Sequence, residues 1–361
     1  MDSIKQYKKI QRFLVKLLIN SVLIVGALTL TFVFLEIVAR FIIKAWPFEP
    51  PPVVLPHLTE KDRTLRWRFT PEDRRNSLGL RNKEISPKES NTYRILYLGD
   101  SLVWSGETSR GKLYTEVIEN NLNNLDSLTK VEVINAGIPG YTTYQELEFL
   151  KIYGLEMAPD MVILGFVFND VFYKYLSKPT KESILGREPE IQLHRFDVDK
   201  LPGKLFSRSY VAHRAFYSFE VLYKKISGKP LFPFEYRTDF YLAWKKFGWR
   251  TTKKLLMEMK SLLEVRNIAF RIVIYPISDQ TDPTYLEIDR NYVLYPQKMI
   301  KSICQDLEIP FLDLTEFLEQ EGGRSLFKDY LHLNGRGNDI VAREVTKFLI
   351  SGYFSENLLK K

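Results

Sequence analysis

The sequence predicts an α/β fold: a three-layer α/β/α sandwich around a parallel, five-stranded sheet, preceded by one N-terminal transmembrane helix. Five short apolar runs alternate with segments of helical spacing from about residue 93 onward. Strands that alternate with helices form a parallel sheet covered on both faces, and right-handed crossovers arrange the helices in two layers. A long uncharged segment near the N-terminus predicts the additional helix.

Residues 1–45 are predicted to form a basic cytoplasmic tip and a membrane anchor. The 19 residues from Leu17 to Leu35 are uncharged, and as a helix they would span about 28 Å, close to a hydrocarbon core of about 30 Å. More basic residues precede this segment than follow it, which predicts a cytoplasmic N-terminus and an exported, periplasmic or extracellular, remainder. A cleaved signal peptide is the alternative, but its apolar region is usually only about 7–15 residues and ends in a small-residue cleavage site. We therefore expect the helix to be retained.

Residues 46–90 are predicted to form a stiff stalk and a polar lead-in, and residues 91–361 the folded domain. Five prolines lie between positions 47 and 56, and proline-rich segments are extended. Hydrophobic residues make up 45% of the 361 residues and charged residues 27%. These are ordinary globular values, so a core of native size is expected over most of the length.

Apolar runs predict the strands of the sheet, and helical spacing of apolar residues predicts the helices that cover it. Strands are predicted at 94–98, 131–134, 161–164, 270–275 and 310–314, and helices at 112–125, 143–153, 240–266, 293–307 and 336–350. Ligand sites in such sheets gather at the carboxyl ends of the strands. Ser101, Gly140 and Asn169 follow the first three strands.

Residues 171–239 interrupt the alternation and are interpreted as an insertion. Between residues 171 and 250, 18 of 80 residues are aromatic, against 14% in the whole chain, which sets this segment apart. An insertion after Asn169 would overhang the active-site end of the sheet, so one hypothesis is a cap that shapes the substrate pocket. The alternative is an additional subdomain with its own small core.

Charge and cysteine content exclude two classes of protein. The formal net charge is +8, but the basic residues are scattered and no zinc-finger, helix-turn-helix or RNA-recognition pattern is present, so no nucleic-acid partner is expected. A basic surface near an anionic bilayer accounts for the charge. The single cysteine, Cys304, excludes an intrachain disulfide and is expected inside a buried helix. The sequence identifies no protein partner.

Ser101 and the pair Asp329 and His332 are the candidates for chemistry. A serine hydroxyl is a weak nucleophile until a base takes its proton, and a histidine oriented by a carboxylate is such a base. Asp329 and His332 are three residues apart, just before the last predicted helix. At that spacing their side chains lie on one side of a helical or turn backbone.

With these residues the chain resembles the SGNH/GDSL hydrolase family over roughly residues 91–352. Four blocks match in the family's order: 98–102 (Leu-Gly-Asp-Ser-Leu), 135–140 (Asn-Ala-Gly-Ile-Pro-Gly), 165–170 (Gly-Phe-Val-Phe-Asn-Asp) and 329–332 (Asp-Tyr-Leu-His). The third block has two extra residues between its glycine and asparagine. Asn169 is therefore carried over from the family pattern, and Gly165 is not.

The resemblance implies a flavodoxin-like sheet and acyl-ester chemistry without metal or other cofactor. Ser101 is implied as nucleophile, His332 as base and Asp329 as its charge partner. The oxyanion hole is implied at the backbone N–H groups of Ser101 and Gly140 and at the side-chain amide of Asn169, with Gly137 as the alternative to Gly140.

Other polar residues have simpler explanations. Asp100 and Asp170 are expected to accept hydrogen bonds from the backbone of their own loops, and Asp313 to act as a turn or cap. The remaining histidines are expected on the surface or in packing: His57, His194 and His213. Neither the histidines nor the carboxylates have metal-site spacing.

The leading hypothesis is a serine esterase or deacylase of short acyl esters, including O-acetyl groups on cell-envelope carbohydrate. Lipid esters are a further substrate class. The alternative is an O-acyltransferase, because water and a sugar hydroxyl compete for the same acyl-enzyme. A second alternative is a non-catalytic envelope scaffold, against which the complete set of site residues argues.

Overall fold

A computed structural model describes residues 2–45, 59–62, 64–71, 75–105, 112–125, 129–171, 209–228 and 241–351. The chain separates into two compact units, Met1–Pro51 with Glu182–Glu235 and Pro52–Lys181 with Tyr236–Lys361. The strands are β1 (Thr59–Asp62), β2 (Arg66–Phe69), β3 (Thr92–Gly99), β4 (Lys130–Gly137), β5 (Met161–Phe166), β6 (Ala269–Ile274) and β7 (Phe311–Asp313). The α-helices are α1 (Asp2–Ala45), α2 (Ser101–Trp104), α3 (Tyr114–Asn123), α4 (Thr143–Phe149), α5 (Tyr210–Ser227), α6 (Trp249–Glu264), α7 (Pro283–Val293), α8 (Tyr295–Asp306), α9 (Thr315–Glu321) and α10 (Gly335–Leu349).

The first unit contains α1 and α5, which pack against each other. The segment Ile10–Ala39 of α1 has a mean hydropathy of 2.5 and is not buried. It is long and apolar enough to be a membrane span or a signal sequence. The apolar segment extends beyond the uncharged run of the sequence because the helix continues through Lys16 and Glu36.

The second unit contains the sheet that the sequence predicts. β3 to β7 are all parallel and lie in the order β4-β3-β5-β6-β7. Numbered along the chain from β3, this is the 2-1-3-4-5 order of flavodoxin-like sheets. Every residue of β5 is buried, as expected for a strand covered on both faces. The predicted fold class is confirmed.

The helices lie in two layers because the chain reverses direction across the sheet. It first moves outward from β3 to β4 and then back past β3 to β5, so right-handed crossovers place α3 and α4 on opposite faces. α10 packs on α3, where the Asn121 amide donates a hydrogen bond to Thr346 Oγ1 at 3.4 Å. α6 packs on α4.

Part of the predicted stalk and lead-in packs on the sheet domain. β1 and β2 form an antiparallel pair, and Leu65 between them is fully buried. Arg81 is also buried, and its Nη1 donates to the carbonyls of Trp104 at 2.9 Å and Ser105 at 2.6 Å. This segment therefore braces the backbone that follows Ser101. The prolines between positions 47 and 56 lie outside the described residues.

Some helices have no counterpart in the sequence-based prediction. α7 begins at Pro283, after Asp282, whose side chain accepts the Thr284 N–H at 2.9 Å. α9 is only seven residues long, and α5 falls within the predicted insertion at 171–239. Of that insertion, 172–208 and 229–239 lie outside the described residues, so the cap and the subdomain stay predictions.

Candidate active site

Ser101 is presented at the carboxyl end of β3 by a tight connection into α2. The strand ends at Gly99, and Asp100 occupies the N-cap position of α2, where its Oδ1 accepts the Leu102 N–H at 2.9 Å. Asp100 is fully buried, whereas Ser101 is partly exposed. The cap therefore fixes the backbone around Ser101 while its hydroxyl stays accessible.

A row of three glycines lies under α2. Gly99 is the register partner of Gly137 on β4 and of Gly165 on β5. A Cβ on Gly99 or Gly165 would lie 2.2 or 2.6 Å from Val103 Cγ2, and one on Gly137 would lie 2.3 Å from the Trp104 nitrogen. Any side chain in this row would displace α2, and Ser101 with it. Gly137 and Gly165 thus have a packing role that the sequence motifs do not reveal.

His332 joins Ser101 to Asp329. His332 Nε2 lies 2.8 Å from Ser101 Oγ, and His332 Nδ1 lies 2.7 Å from Asp329 Oδ2. When Nδ1–H donates to the carboxylate, the Nε2 lone pair is left to accept the serine proton. The structure thus brings Ser101 together with a pair of residues that lies more than two hundred positions later in the sequence.

The loop before α10 holds this pair in place. The other oxygen of Asp329, Oδ1, accepts the backbone N–H groups of Leu331 and His332, both at 2.7 Å. Partial burial alone would raise the pKa of Asp329, but the hydrogen bonds from His332 and Leu331 outweigh it and lower that pKa. Asp329 therefore stays ionised and can stabilise an imidazolium beside it.

Gly140 follows β4 in a tight turn. It has φ +77° and is preceded by Pro139, and the Tyr141 N–H donates to the Ile138 carbonyl at 3.0 Å. Proline followed by a residue with positive φ is the pattern of a type II turn. Gly140 is exposed, and no acceptor for its N–H lies among the described residues. By contrast, the Gly137 N–H already donates to Asn135 Oδ1 at 3.0 Å, which favours Gly140 as an oxyanion donor.

Asn169 is held beside the serine segment by Asp100. Its Nδ2 donates one hydrogen to Asp100 Oδ2 at 2.8 Å, which leaves a second hydrogen on the same nitrogen. Burial raises the pKa of Asp100, and the hydrogen bonds from Leu102 and Asn169 partly offset that rise. Asp100 accepts backbone hydrogen bonds, as predicted, and in addition orients the Asn169 amide.

Two further buried carboxyl groups form a pair beside Asn169, and the sequence reasoning missed Glu146 and its pairing with Asp170. Glu146 of α4 and Asp170 are 1% and 2% exposed. Asp170 Oδ2 accepts the Val167 N–H at 2.8 Å, as predicted. Asp170 Oδ1 and both oxygens of Glu146 have no hydrogen-bond partner in the described part of the chain. One signal was present: Glu146 shares a helix face with Phe149 and Leu150, three and four residues on, and both are buried.

This acidic pair keeps a proton to higher pH than exposed carboxyl groups do. Burial, followed by the neighbouring Asp170, raises the pKa of Glu146 well above its ordinary value. Burial, followed by Asp100, does the same for the pKa of Asp170. Two facing carboxyl groups lack a donor unless one is protonated, so a retained proton relieves both the charge repulsion and the missing hydrogen bond.

The remaining polar candidates fall outside the site. Asp313 Oδ1 accepts the N–H and the hydroxyl of Thr315 at 3.0 and 2.6 Å, the cap role that was predicted. Cys304 is buried in α8, and burial raises its pKa to about 12. Among the described residues no cluster of histidine, cysteine or carboxylate side chains is arranged to bind a metal. His57 and His194 lie outside those residues.

Comparison with protein families identifies a family model that covers most of the chain. The model of the GDSL-like lipase/acylhydrolase family matches residues 97–340, which include Ser101, Gly140, Asn169, Asp329 and His332. A search of curated proteins found no match.

Comparison with solved structures gives neighbours of low identity. An acetyl xylan esterase, AlAXEase, is 17% identical with a TM-score of 0.41, over 70% of this chain and 98% of its own. The lipase/acylhydrolase from Enterococcus faecalis is 16% identical with a TM-score of 0.42, over 71% and 95%. A catalytic mutant of Axe2, an acetylxylan esterase from Geobacillus stearothermophilus, is 15% identical with a TM-score of 0.42, over 71% and 94%.

Proposed function

Because this chain belongs to the GDSL-like lipase/acylhydrolase family of ester-hydrolysing enzymes, we propose that it removes short acyl groups from esters through Ser101, His332 and Asp329. The observation that carries this proposal is the unbroken line of contacts from Ser101 Oγ through the imidazole to the Asp329 carboxylate, 2.8 and 2.7 Å long. Within this class we propose O-acetyl groups on cell-envelope carbohydrate as substrates.

The first half-reaction forms an acyl-enzyme. Ser101 Oγ attacks the ester carbonyl as His332 Nε2 takes its proton, and Asp329 stabilises the resulting imidazolium. The tetrahedral intermediate then collapses: the bond to the alcohol oxygen breaks, and His332 returns the proton to that oxygen. The alcohol leaves, and the acyl group remains on Ser101.

Water completes the reaction by the same relay. His332 removes a proton from water, the hydroxide attacks the acyl carbon, and the bond to Ser101 Oγ breaks as the serine regains its proton. In both half-reactions negative charge develops on the carbonyl oxygen. The N–H groups of Ser101 and Gly140 and the second hydrogen of the Asn169 amide are the proposed donors to that oxygen. Each step uses only groups of the chain and water.

The proposed location follows from α1. With its basic residues on the amino side, α1 would leave the N-terminus in the cytoplasm and carry the catalytic domain to the exported side. In this scheme residues 1–45 are the tip and anchor, 46–90 the stalk and lead-in, and 91–361 the hydrolase domain. An enzyme tethered there meets envelope polymers and lipids, which is why we place the substrate among carbohydrate or lipid esters.

Acetate release tests the proposal. The purified full chain is given an acetylated polysaccharide, and free acetate is measured for the wild type, Ser101→Ala and the matched control Ser105→Ala. Ser105 lies four residues on, and its hydroxyl is 3.2 Å from the Leu102 carbonyl oxygen. We expect acetate from the wild type and the control but none from Ser101→Ala. Equal release by all three proteins would refute the assignment of Ser101.

The same assay separates hydrolysis from transfer. With an acetyl donor and a deacetylated polysaccharide present, an esterase yields free acetate, whereas an O-acyltransferase yields newly acetylated polysaccharide. Transfer without acetate release would replace the esterase by the acyltransferase and leave the three site residues in the same roles.

A further inference from the structure

Helix α5 exposes an apolar stripe on the first unit. Phe219, Leu222, Tyr223 and Ile226 are 53%, 53%, 38% and 77% exposed. They are spaced at i, i+3, i+4 and i+7, which places them along one face of the helix. Single exposed apolar residues are normal on a protein surface, whereas a contiguous group of them marks an interaction surface.

The start of α5 is attached to α1 by a partly buried polar contact. Glu36 Oε2 of α1 accepts the Ser209 hydroxyl and the Val211 N–H, both at 3.0 Å. Ser209 Oγ in turn accepts the Ala212 N–H at 3.1 Å, so it caps the helix. A carboxylate at a helix N-terminus is favourable because it meets the positive end of the helix dipole.

The position of Glu36 determines where α5 begins. It is three residues from Ala39, where the apolar segment of α1 ends, which corresponds to about 4.5 Å along the helix axis. Val211 and Ala212 in the first turn of α5 are partly covered, whereas the stripe farther along is exposed. α5 therefore starts at the level where α1 would leave a bilayer, and the described residues leave its apolar stripe uncovered.

We propose that α5 lies in the membrane interface on the exported side, with the stripe of Phe219, Leu222, Tyr223 and Ile226 inserted among the lipid acyl chains. The inference rests on α1 being the membrane anchor and is independent of the chemistry at Ser101. Amphipathic helices bind membranes in this way, with the apolar face at the boundary between headgroups and acyl chains. The α1–α5 unit would then be attached to the membrane by two helices: α1, which spans it, and α5, which lies on its surface.

Site-specific fluorescent labelling tests the proposal on the full chain. Cys304 is the only native cysteine and is buried, so a cysteine introduced on α5 is labelled selectively. We would introduce Leu222→Cys or Ile226→Cys on the stripe and, as matched control, Ser227→Cys, an exposed position about 100–140° around the helix from them. Each labelled protein is reconstituted in phosphatidylcholine–phosphatidylglycerol vesicles and exposed to a shallow nitroxide lipid or to aqueous iodide.

The expected result is a difference between the two faces of α5. Labels at positions 222 and 226 should be quenched at least about threefold more by the nitroxide lipid than the label at 227, and iodide should show the reverse order. Iodide quenching of all three labels would overturn the proposal. Protection of the stripe from both quenchers would also overturn it, because protein would then cover the stripe: a second copy or another segment.

A label at Leu28→Cys tests separately the premise that α1 spans the membrane. Leu28 is 65% exposed in the middle of the apolar segment of α1. If a deep nitroxide lipid quenches position 28 but not the stripe, the anchor stands and the α5 proposal fails. If position 28 is open to iodide, both fail. Acetate release by each variant reports on the esterase separately, so failure of the enzyme assignment is recognised independently.

Discussion

The edge of the sheet that carries Ser101 and the α1–α5 unit depart from ordinary burial in opposite directions. At the sheet edge, Asp100, Glu146 and Asp170 are almost completely buried, although carboxylates are the groups that folding usually leaves in water. In the α1–α5 unit, large apolar side chains are exposed along both helices. Each departure costs free energy in water, so each indicates a specific use.

This difference in burial indicates what kind of interaction each region makes. Buried carboxyl groups have few alternative partners, so Asp100 can fix the Asn169 amide at one place beside Ser101. Exposed apolar surface has no directional preference, and a bilayer satisfies it without a defined geometry. On this account one region positions side chains, and the other is proposed to partition into lipid. The predictions below separate these two uses, from the largest expected effect to the smallest.

Removal of the base should have the largest effect. We expect His332→Ala to lower kcat by about 10⁴-fold or more, because loss of a triad member in serine hydrolases typically has that effect. His332 is partly exposed, so Tm should be nearly unchanged. Steady-state kinetics and a thermal scan check both. A loss of activity that follows a large drop in Tm would mean that the ring is structural.

Removal of the oriented amide should have an intermediate effect. Asn169→Ala is expected to lower kcat by about 10²–10³-fold with a smaller change in KM, since the donor acts mainly on charge developed in the transition state. Asn121→Ala, which removes an amide on the α3–α10 contact, is the matched control and should retain near-normal kcat. Equal kinetic effects of the two substitutions would contradict an oxyanion role for Asn169.

Neutralisation of the buried acid should change stability in a pH-dependent way. Burial raises the pKa of Glu146, so the folded state keeps its proton to a higher pH than the unfolded chain. Stability is therefore lost as pH rises from the unfolded pKa of about 4.3 toward the raised folded pKa. Glu146→Gln removes this loss, and its amide can donate to Asp170.

The Glu146→Gln protein should have the same Tm as the wild type near pH 4 and a higher one at pH 7. Each kcal/mol gained corresponds to about 2–4 °C in a domain of this size. Glu148→Gln is the control on the same helix, because Glu148 is only partly buried and pairs with Lys151 at 2.9 Å. A lower Tm for Glu146→Gln across the whole pH range would contradict the retained proton.

Removal of the apolar stripe should have the smallest effect on catalysis. We expect the double variant Phe219→Ser and Ile226→Ser to change kcat on a water-soluble ester less than about twofold. The same variant, labelled at Leu222→Cys, should lose most of its quenching by nitroxide lipid, since the inserted apolar area is reduced. Unchanged lipid quenching would show that the stripe does not hold α5 at the bilayer.

The sequence predicted the sheet and the meeting of Ser101 with His332 for clear physical reasons. The sheet strands are continuous apolar runs, and loops at the carboxyl ends of parallel strands meet at one edge. The glycine row was not predictable, because it depends on the register that places Gly99 beside Gly137 and Gly165. Arg81 was read as part of a polar lead-in, since nothing local indicates that it pairs with carbonyls 23 and 24 residues away.

The contact between α1 and the start of α5 was also not predictable, because it joins residues far apart in the sequence. Glu36 and Ser209 are 173 residues apart, and a glutamate near the end of an apolar helix predicts no particular partner. Glu146 is the intermediate case. Its spacing from the apolar Phe149 and Leu150 was a signal of burial that went unused, and the neighbouring Asp170 was needed to recognise a pair that shares a proton.

Covalent labelling with a fluorophosphonate probe tests the central claim most directly, because the probe reacts only with a serine whose proton a neighbouring base removes. Peptide mass spectrometry of the labelled full chain should place the adduct on Ser101 in the wild type and find none in His332→Ala. An adduct on another serine, or equal labelling of Ser101 in both proteins, would contradict the account.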